Sequence, residues 1–217
     1  VPPTATAGKI QGEGVNLFPD ANLDDRTILA FAISFEPNQE TFSIDTYGAD
    51  FRRAIQTAST FGNCVLVVRG HADPTKTLVD FIQVGLKKGI ITRQGSAGNW
   101  TYHYKGKLLD MTATKEVIKA IMESEFAGSD INPQETMSAA LNLSLARAQA
   151  VRKGIVEYAK ANNLNLDVSQ IQPMGVGIRE PVCAKPRNIE EAKRNMRVEF
   201  RLIRVSPENI KPNDFDY

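Results

Sequence analysis

The stretch that most constrains this chain is Cys64-Val-Leu-Val-Val-Arg-Gly-His-Ala-Asp73. Val65 to Val68 form a β-branched apolar run, which predicts a strand buried on both faces of a parallel or mixed sheet. Gly70 breaks that run. His71, Ala72 and Asp73 then stand at the strand's end, where open sheets place their ligand contacts. Asp73 is the first candidate functional residue.

The flanking pattern extends this strand into an α+β fold. Thr27 to Phe35 reads as a preceding strand, ended by Pro37-Asn38. Tyr47 to Phe61 carries Phe51, Ile55, Ala58 and Phe61 at helical spacing, and Gly62-Asn63 closes it. Strand, helix, strand implies a right-handed crossover and a parallel pair. Further on, Asn132-Pro-Gln-Glu135 is a strong helix start, opening a helix that reaches about Ala159 with a possible kink and ends at Asn162-Asn163. Val168 to Met174 predicts a third strand, Asn188 to Asn195 a short helix, and Arg197 to Val205 a final, half-exposed strand.

Residues 74–136 interrupt this order. Leu78 to Leu86 reads as a helix, and IITRQGSAGNWTYHY as a hairpin. Trp100, Tyr102 and Tyr104 share one face of its second strand, either as a stacking platform for a sugar or, more simply, as core cover. Thr112 or Thr114 is expected to cap a helix whose stripe is Val117, Ile118, Ile121 and Met122. Residues 1–26 read as a linker and 206–217 as a tail, leaving a domain over 27–205 with an insertion at 74–136.

Charge and composition narrow the function. Lys+Arg 26 against Asp+Glu 25 gives a net charge of +1 without a basic block, which disfavours nucleic acid and anionic membranes as partners. No apolar run is long enough to span a bilayer, and no export signal is present in this chain. Cys64 and Cys183 are expected to stay unbonded. His71 and Asp73 lack a third ligand for a metal, and Gly175-Val-Gly177 lacks the remainder of a phosphate-binding signature. No cofactor is implied. No nucleophile, acid and base assemble into a catalytic set, and Ser144 reads as a helix-start residue.

Four pieces carry a family resemblance: Gly70-His-Ala-Asp73, Leu143-Ser-Leu-Ala-Arg-Ala148, Gly175-Val-Gly-Ile-Arg-Glu-Pro181 and Asn195-Met-Arg-Val198. In that order they resemble the OmpA-like C-terminal domain. The resemblance implies a βαβαβ(α)β fold, with a mixed parallel and antiparallel sheet packed on helices. It also implies non-catalytic binding of peptidoglycan in a bacterial periplasm or outer membrane, anchoring a larger envelope protein. By resemblance, Asp73 meets the ammonium of a stem-peptide diamino acid such as meso-diaminopimelate, and Arg147 meets its carboxylate. His71, Ala72, Leu143 and Arg197 complete the expected ligand set. Arg197 either assists the carboxylate or braces the Asp73 loop.

From residue chemistry alone, Asp73 and Arg147 are as readily a structural ion pair. Ala72 replaces a frequent threonine or serine, and Ala140 a frequent asparagine that Asn142 is placed to substitute. The alternative function is an OmpA-like fold that acts in protein interaction through its insertion.

Overall fold

The computed structural model describes residues 27–61 and 64–205. The expected linker, the Gly62-Asn63 helix stop and the expected tail lie outside the described residues. Two bodies of secondary structure stand side by side, each with its own apolar core.

The first is an α+β sandwich. Its strands are β1 (Thr27–Ser34), β2 (Cys64–His71), β6 (Ile171–Gly177) and β7 (Arg197–Arg204), in the order β1-β7-β2-β6. β2 pairs parallel with β6 and antiparallel with β7, which in turn pairs antiparallel with β1. The mixed sheet expected from the sequence is therefore present. β1 and β2 run the same way, as a helical crossover requires, but β7 lies between them, so they are not a bonded pair. β7 is an inner strand and not the half-exposed one its alternation predicts.

Helices α1 (Ile44–Phe61) and α4 (Pro133–Ala161) cover one face of this sheet. Phe51, Ile55 and Ala58 from α1 and Val151 and Ile155 from α4 meet Val68, Phe200 and Leu202 from the strands. Phe51, Phe200 and Phe31 form a continuous ring contact through this core. Along most of β2 alternate residues are buried, with Val65 and Val67 half-buried on the other side of the sheet, and only at the strand's end, where His71 is enclosed with Glu199, are both faces covered. The expectation of a strand buried on both faces is corrected to its last residues.

α4 begins as the sequence predicts. The Asn132 side chain accepts the Gln134 N–H at 3.0 Å and donates to Glu135 at 3.1 Å, a cap that satisfies otherwise orphaned donors. The helix then runs unbroken for 29 residues. Its middle lies so close to the sheet that a Cβ at position 70 would overlap the Ser144 carbonyl oxygen, and one at position 175 would lie 2.9 Å from the Leu141 oxygen. Glycine is thus required at these strand ends for helix packing.

The second body, inserted between β2 and α4, contains α2 (Thr75–Lys87), β3 (Ile91–Ser96), β4 (Asn99–Tyr104), β5 (Lys107–Leu108) and α3 (Thr114–Glu123). The three strands form an antiparallel sheet. Leu78, Phe81, Val84, Ile91, Met111, Val117 and Ile121 build its core, with Tyr102 and Tyr104 packed against it. Core cover is thus what these two tyrosines do, while Trp100 lies under the Arg93 guanidinium, 4.4 Å from the ring centroid. Neither Thr112 nor Thr114 caps α3. Asp110 instead accepts from the Thr112 N–H and hydroxyl, and Met122, expected in the buried stripe, is 65% exposed. α2 is held to α4 by buried Asp80, which accepts from the Thr136 hydroxyl at 2.6 Å and pairs with Lys76.

Replacing Gly70 by alanine drives a methyl group into the Ser144 backbone. Such overpacking places Gly70→Ala at the severe end of single substitutions, about 3–5 kcal/mol. The expected result is a large fall in the urea midpoint with little change in the slope. An unaltered midpoint would show that α4 does not make this approach.

Candidate functional site

The site forms where β2 ends. Asp73 follows β2 by two residues, and both its carboxylate oxygens are held: Oδ1 accepts from Asn195 Nδ2 at 3.0 Å, and Oδ2 from the Thr75 N–H at 2.9 Å. The second bond sets the carboxylate at the start of α2, an end of a helix that favours negative charge. Fully buried Asn195 also donates to the Cys183 carbonyl at 2.8 Å and accepts the Cys183 N–H at 2.9 Å. One amide therefore joins the Asp73 loop, the loop after β6 and the entry to β7. The Asn195-Met-Arg-Val198 piece was the sequence signal for it, but its role is seen only when the three segments meet.

Arg147 projects from α4 beneath the same loops and is only 1% exposed. Its Nε donates to the Gln39 carbonyl at 2.8 Å, Nη1 to the His71 carbonyl at 3.3 Å and Nη2 to the Glu36 carbonyl at 3.2 Å. The guanidinium also stacks over Phe35. Burial pulls its pKa down from the ordinary arginine value, against the weaker field of Glu40. Among the described residues no carboxylate forms an ion pair with it, so the structural Asp73–Arg147 bridge is not formed.

The remaining expected ligand residues occupy different surroundings. Ala72 is buried, with its N–H donated to the Gly177 carbonyl at 2.9 Å. Leu143 is half-buried on α4, beside Ser144. Ser144 is not at a helix start: it sits mid-helix, donating to the Leu141 carbonyl at 2.7 Å and accepting the Gly177 N–H at 2.9 Å. This is also what occupies the Gly175-Val-Gly177 turn. Asn142 is exposed, and Ala140 is only partly so. The Thr75 hydroxyl, close in sequence to Asp73, is buried without a partner.

His71 and Arg197 turn their side chains away to a buried charge cluster. Arg197 grips Glu199 Oε1 with Nε at 3.0 Å and Nη2 at 2.6 Å, and Nη2 also donates to the Glu180 carbonyl at 3.3 Å. Arg201 grips Glu199 Oε2. In this arrangement Arg197 braces the loop after β6, and His71 contributes its carbonyl to Arg147. The His71 ring is 0% exposed, with Nε2 3.4 Å from Glu199 outside hydrogen-bond geometry and Nδ1 unpartnered. Burial would raise the Glu199 pKa, but His71, Arg197 and Arg201 outweigh it and hold the carboxyl far below its ordinary range.

The four sequence pieces are thus joined in space, by Ser144 to Gly177, Arg147 to His71, Asn195 to Asp73 and Arg197 to Glu180. The fold is the mixed-sheet α+β sandwich that the OmpA-like resemblance implies. No family model matches the chain, and no curated protein does. Among solved structures, the chain is similar to the peptidoglycan-associated lipoprotein from Burkholderia pseudomallei, at 13% identity and a TM-score of 0.44, over 86% of this chain and 99% of that one. It is similar to the OmpA-like domain of FopA1 from Francisella tularensis subsp. tularensis, at 16% identity and 0.43, over 92% and 94%. It is also similar to the periplasmic domain of Helicobacter pylori MotB, at 16% identity and 0.45, over 89% and 90%.

Within this fold the insertion reaches the site through α2. α2 supplies the Thr75 N–H. Asp110, its carboxyl held low first by Thr112 and in lesser part by the Lys185 ammonium, lies within the field of the loop that Asn195 anchors.

The buried histidine gives the fold a pH dependence. Burial lowers the His71 pKa below its ordinary 6.5. The unfolded chain therefore takes up a proton first as pH falls, so this stability is complete above the unfolded value and is lost as pH drops toward the folded one. Unfolding free energies from urea titrations should decline between pH 7.5 and 5.5, by about 1 kcal/mol or less per pH unit, and less steeply in His71→Gln. Equal declines in both proteins would remove His71 as the cause. Glu199 acts only in stronger acid, below its unfolded range.

Proposed function

We propose that this domain binds peptidoglycan without catalysis, through the diamino acid of the stem peptide, and anchors a cell-envelope protein in the periplasm to the wall. The observation that carries the reading is the Arg147 guanidinium, buried and bonded to backbone carbonyls, with no carboxylate in ion-pair contact among the described residues and only the weaker field of Glu40 acting on it. A buried cation left without an anion is costly, and carbonyl dipoles offset only part of that cost. A ligand carboxylate supplies the missing charge.

Guanidinium has five N–H groups in a rigid fork. Three are engaged here, two of them with the Glu36–Gln39 turn, whose exposed residues form the outer cover of Arg147. A carboxylate approaching from this side takes the open N–H positions or replaces a turn carbonyl. Asp73, fixed by Asn195 and Thr75, supplies an anion for the ligand's ammonium. The two groups hang from one short segment, since Arg147 holds the His71 carbonyl two residues before Asp73. A zwitterionic amino-acid end, with meso-diaminopimelate as the type, matches one fixed anion and one fixed cation held on one segment.

Sedimentation with purified sacculi tests the reading. The wild-type chain is expected to co-sediment, and Asp73→Asn to bind about 10-fold more weakly or worse, the equivalent of one charged hydrogen bond. Asn195→Ala should weaken binding in the same direction by freeing Asp73. Circular dichroism melting of each variant separates loss of binding from loss of fold. Full sacculus binding by a folded Asp73→Asn protein refutes the assigned site and leaves interaction through the insertion as the alternative.

A further inference from the structure

The insertion contains a cavity of about 650 Å³, between the end of α2, the β4–β5 turn and the end of α3. This falls within the range of ordinary ligand pockets. Its lining includes Lys88, His103, Tyr104, Lys105, Glu123 and Glu125. None of these belongs to the Asp73 site.

Three of these groups are left with unused capacity. His103 buries its Nδ1 with no hydrogen-bond partner, a state that native structures seldom tolerate unless something else supplies the bond. Glu125 is exposed, with no ion pair among the described residues. Lys88 donates to the Ala127 carbonyl at 2.7 Å, which orients its ammonium without neutralising it. Lys105, by contrast, is matched by Glu123 at 3.4 Å and lies over the Tyr104 ring, 5.0 Å from its centroid.

The cleft therefore offers a carboxylate, an ammonium and an imidazole nitrogen beside an aromatic wall. A phosphate ligand would face two glutamates. An apolar ligand would leave His103 unsatisfied, and a neutral sugar would leave Lys88 and Glu125 unmatched. A ligand with its own ammonium, carboxylate and amide satisfies all three groups.

We infer that the insertion carries a second binding site, for a short zwitterionic peptide, in the cleft formed by Lys88, His103 and Glu125. Only the identity of that peptide, a cell-wall stem peptide, rests on the function proposed for Asp73 and Arg147. On that reading the chain holds two stem peptides at once, one at each body.

The chain has two histidines, and His71 is fully buried, so the imidazole carbon–proton signal of His103 reports on the cleft. The probe is the synthetic tripeptide alanyl-γ-glutamyl-diaminopimelate, titrated into the whole chain with calorimetry in parallel. The expected stoichiometry is two in the wild type; in Asp73→Asn one of the two equivalents binds about 10-fold more weakly or worse, while the His103 signal shifts at unchanged peptide concentration. A His103→Ala, Glu125→Gln double variant should bind one equivalent, and its sacculus binding should weaken without being lost, because one of two contacts with the wall is removed.

One equivalent in the wild type, with an unmoved His103 signal at saturation, overturns the second site and leaves the Asp73 reading standing. Unimpaired sacculus binding by Asp73→Asn, with a His103 shift still produced by triglycine, overturns the Asp73 reading and supports the cleft as a peptide site.

Discussion

The site depends on how closely α4 approaches the ends of β2 and β6. Gly70 and Gly175 clear the space that the backbone around Leu141 to Ser144 fills, and the Ser144 hydroxyl bonds the Gly177 N–H across the contact. One turn along the helix, this approach brings Arg147 beneath the loops, within reach of carbonyls from residues 36, 39 and 71. A helix held even a side chain's width further out would leave those carbonyls to water. The serine and arginine of one motif thus do linked work, the first setting the distance and the second using it.

Buried charge is treated in three ways in this molecule. Glu199 is compensated by two arginine forks, and the set is enclosed together on the face of the sheet away from the helices. Asp80 is satisfied by a lysine and a hydroxyl, which fixes the insertion to α4. Arg147 alone among these has only neutral acceptors. Buried ions are retained at a cost unless paired, so the unpaired one differs in kind from the other two, and it lies beside the site.

Much of the architecture was legible in local pattern. The apolar run of β2 and the Asn132 cap of α4 each depend on a few adjacent residues, and each forms where the sequence puts it. β7 was misread because Arg197, Glu199 and Arg201 alternate like a wetted face. They neutralise one another, and that can bury a charged row which a single-residue pattern assigns to solvent. The same limit applied at the site. Asp73 and Arg147 were found as a pair of positions, but strand alternation alone could not say that His71 turns its ring to Glu199 while its carbonyl serves Arg147. α3 starts without a side-chain cap, because Asp110 takes the Thr112 N–H and hydroxyl into the turn before the helix.

The separate cores of the two bodies have an optical consequence. Trp100 is the chain's only tryptophan, and it stands on a hairpin of the insertion under Arg93, remote from the ring cluster of Phe31, Phe51 and Phe200. Its fluorescence therefore follows the insertion alone. Ellipticity in the far ultraviolet, dominated by α1 and α4, follows the sandwich. Denaturation curves from the two signals will coincide only if the contacts of α4 with the insertion, Thr136 with Asp80 and Gln134 with the Ile121 and Ser124 carbonyls, couple the bodies into one cooperative unit, which makes the spacing between those curves a direct measure of that joint.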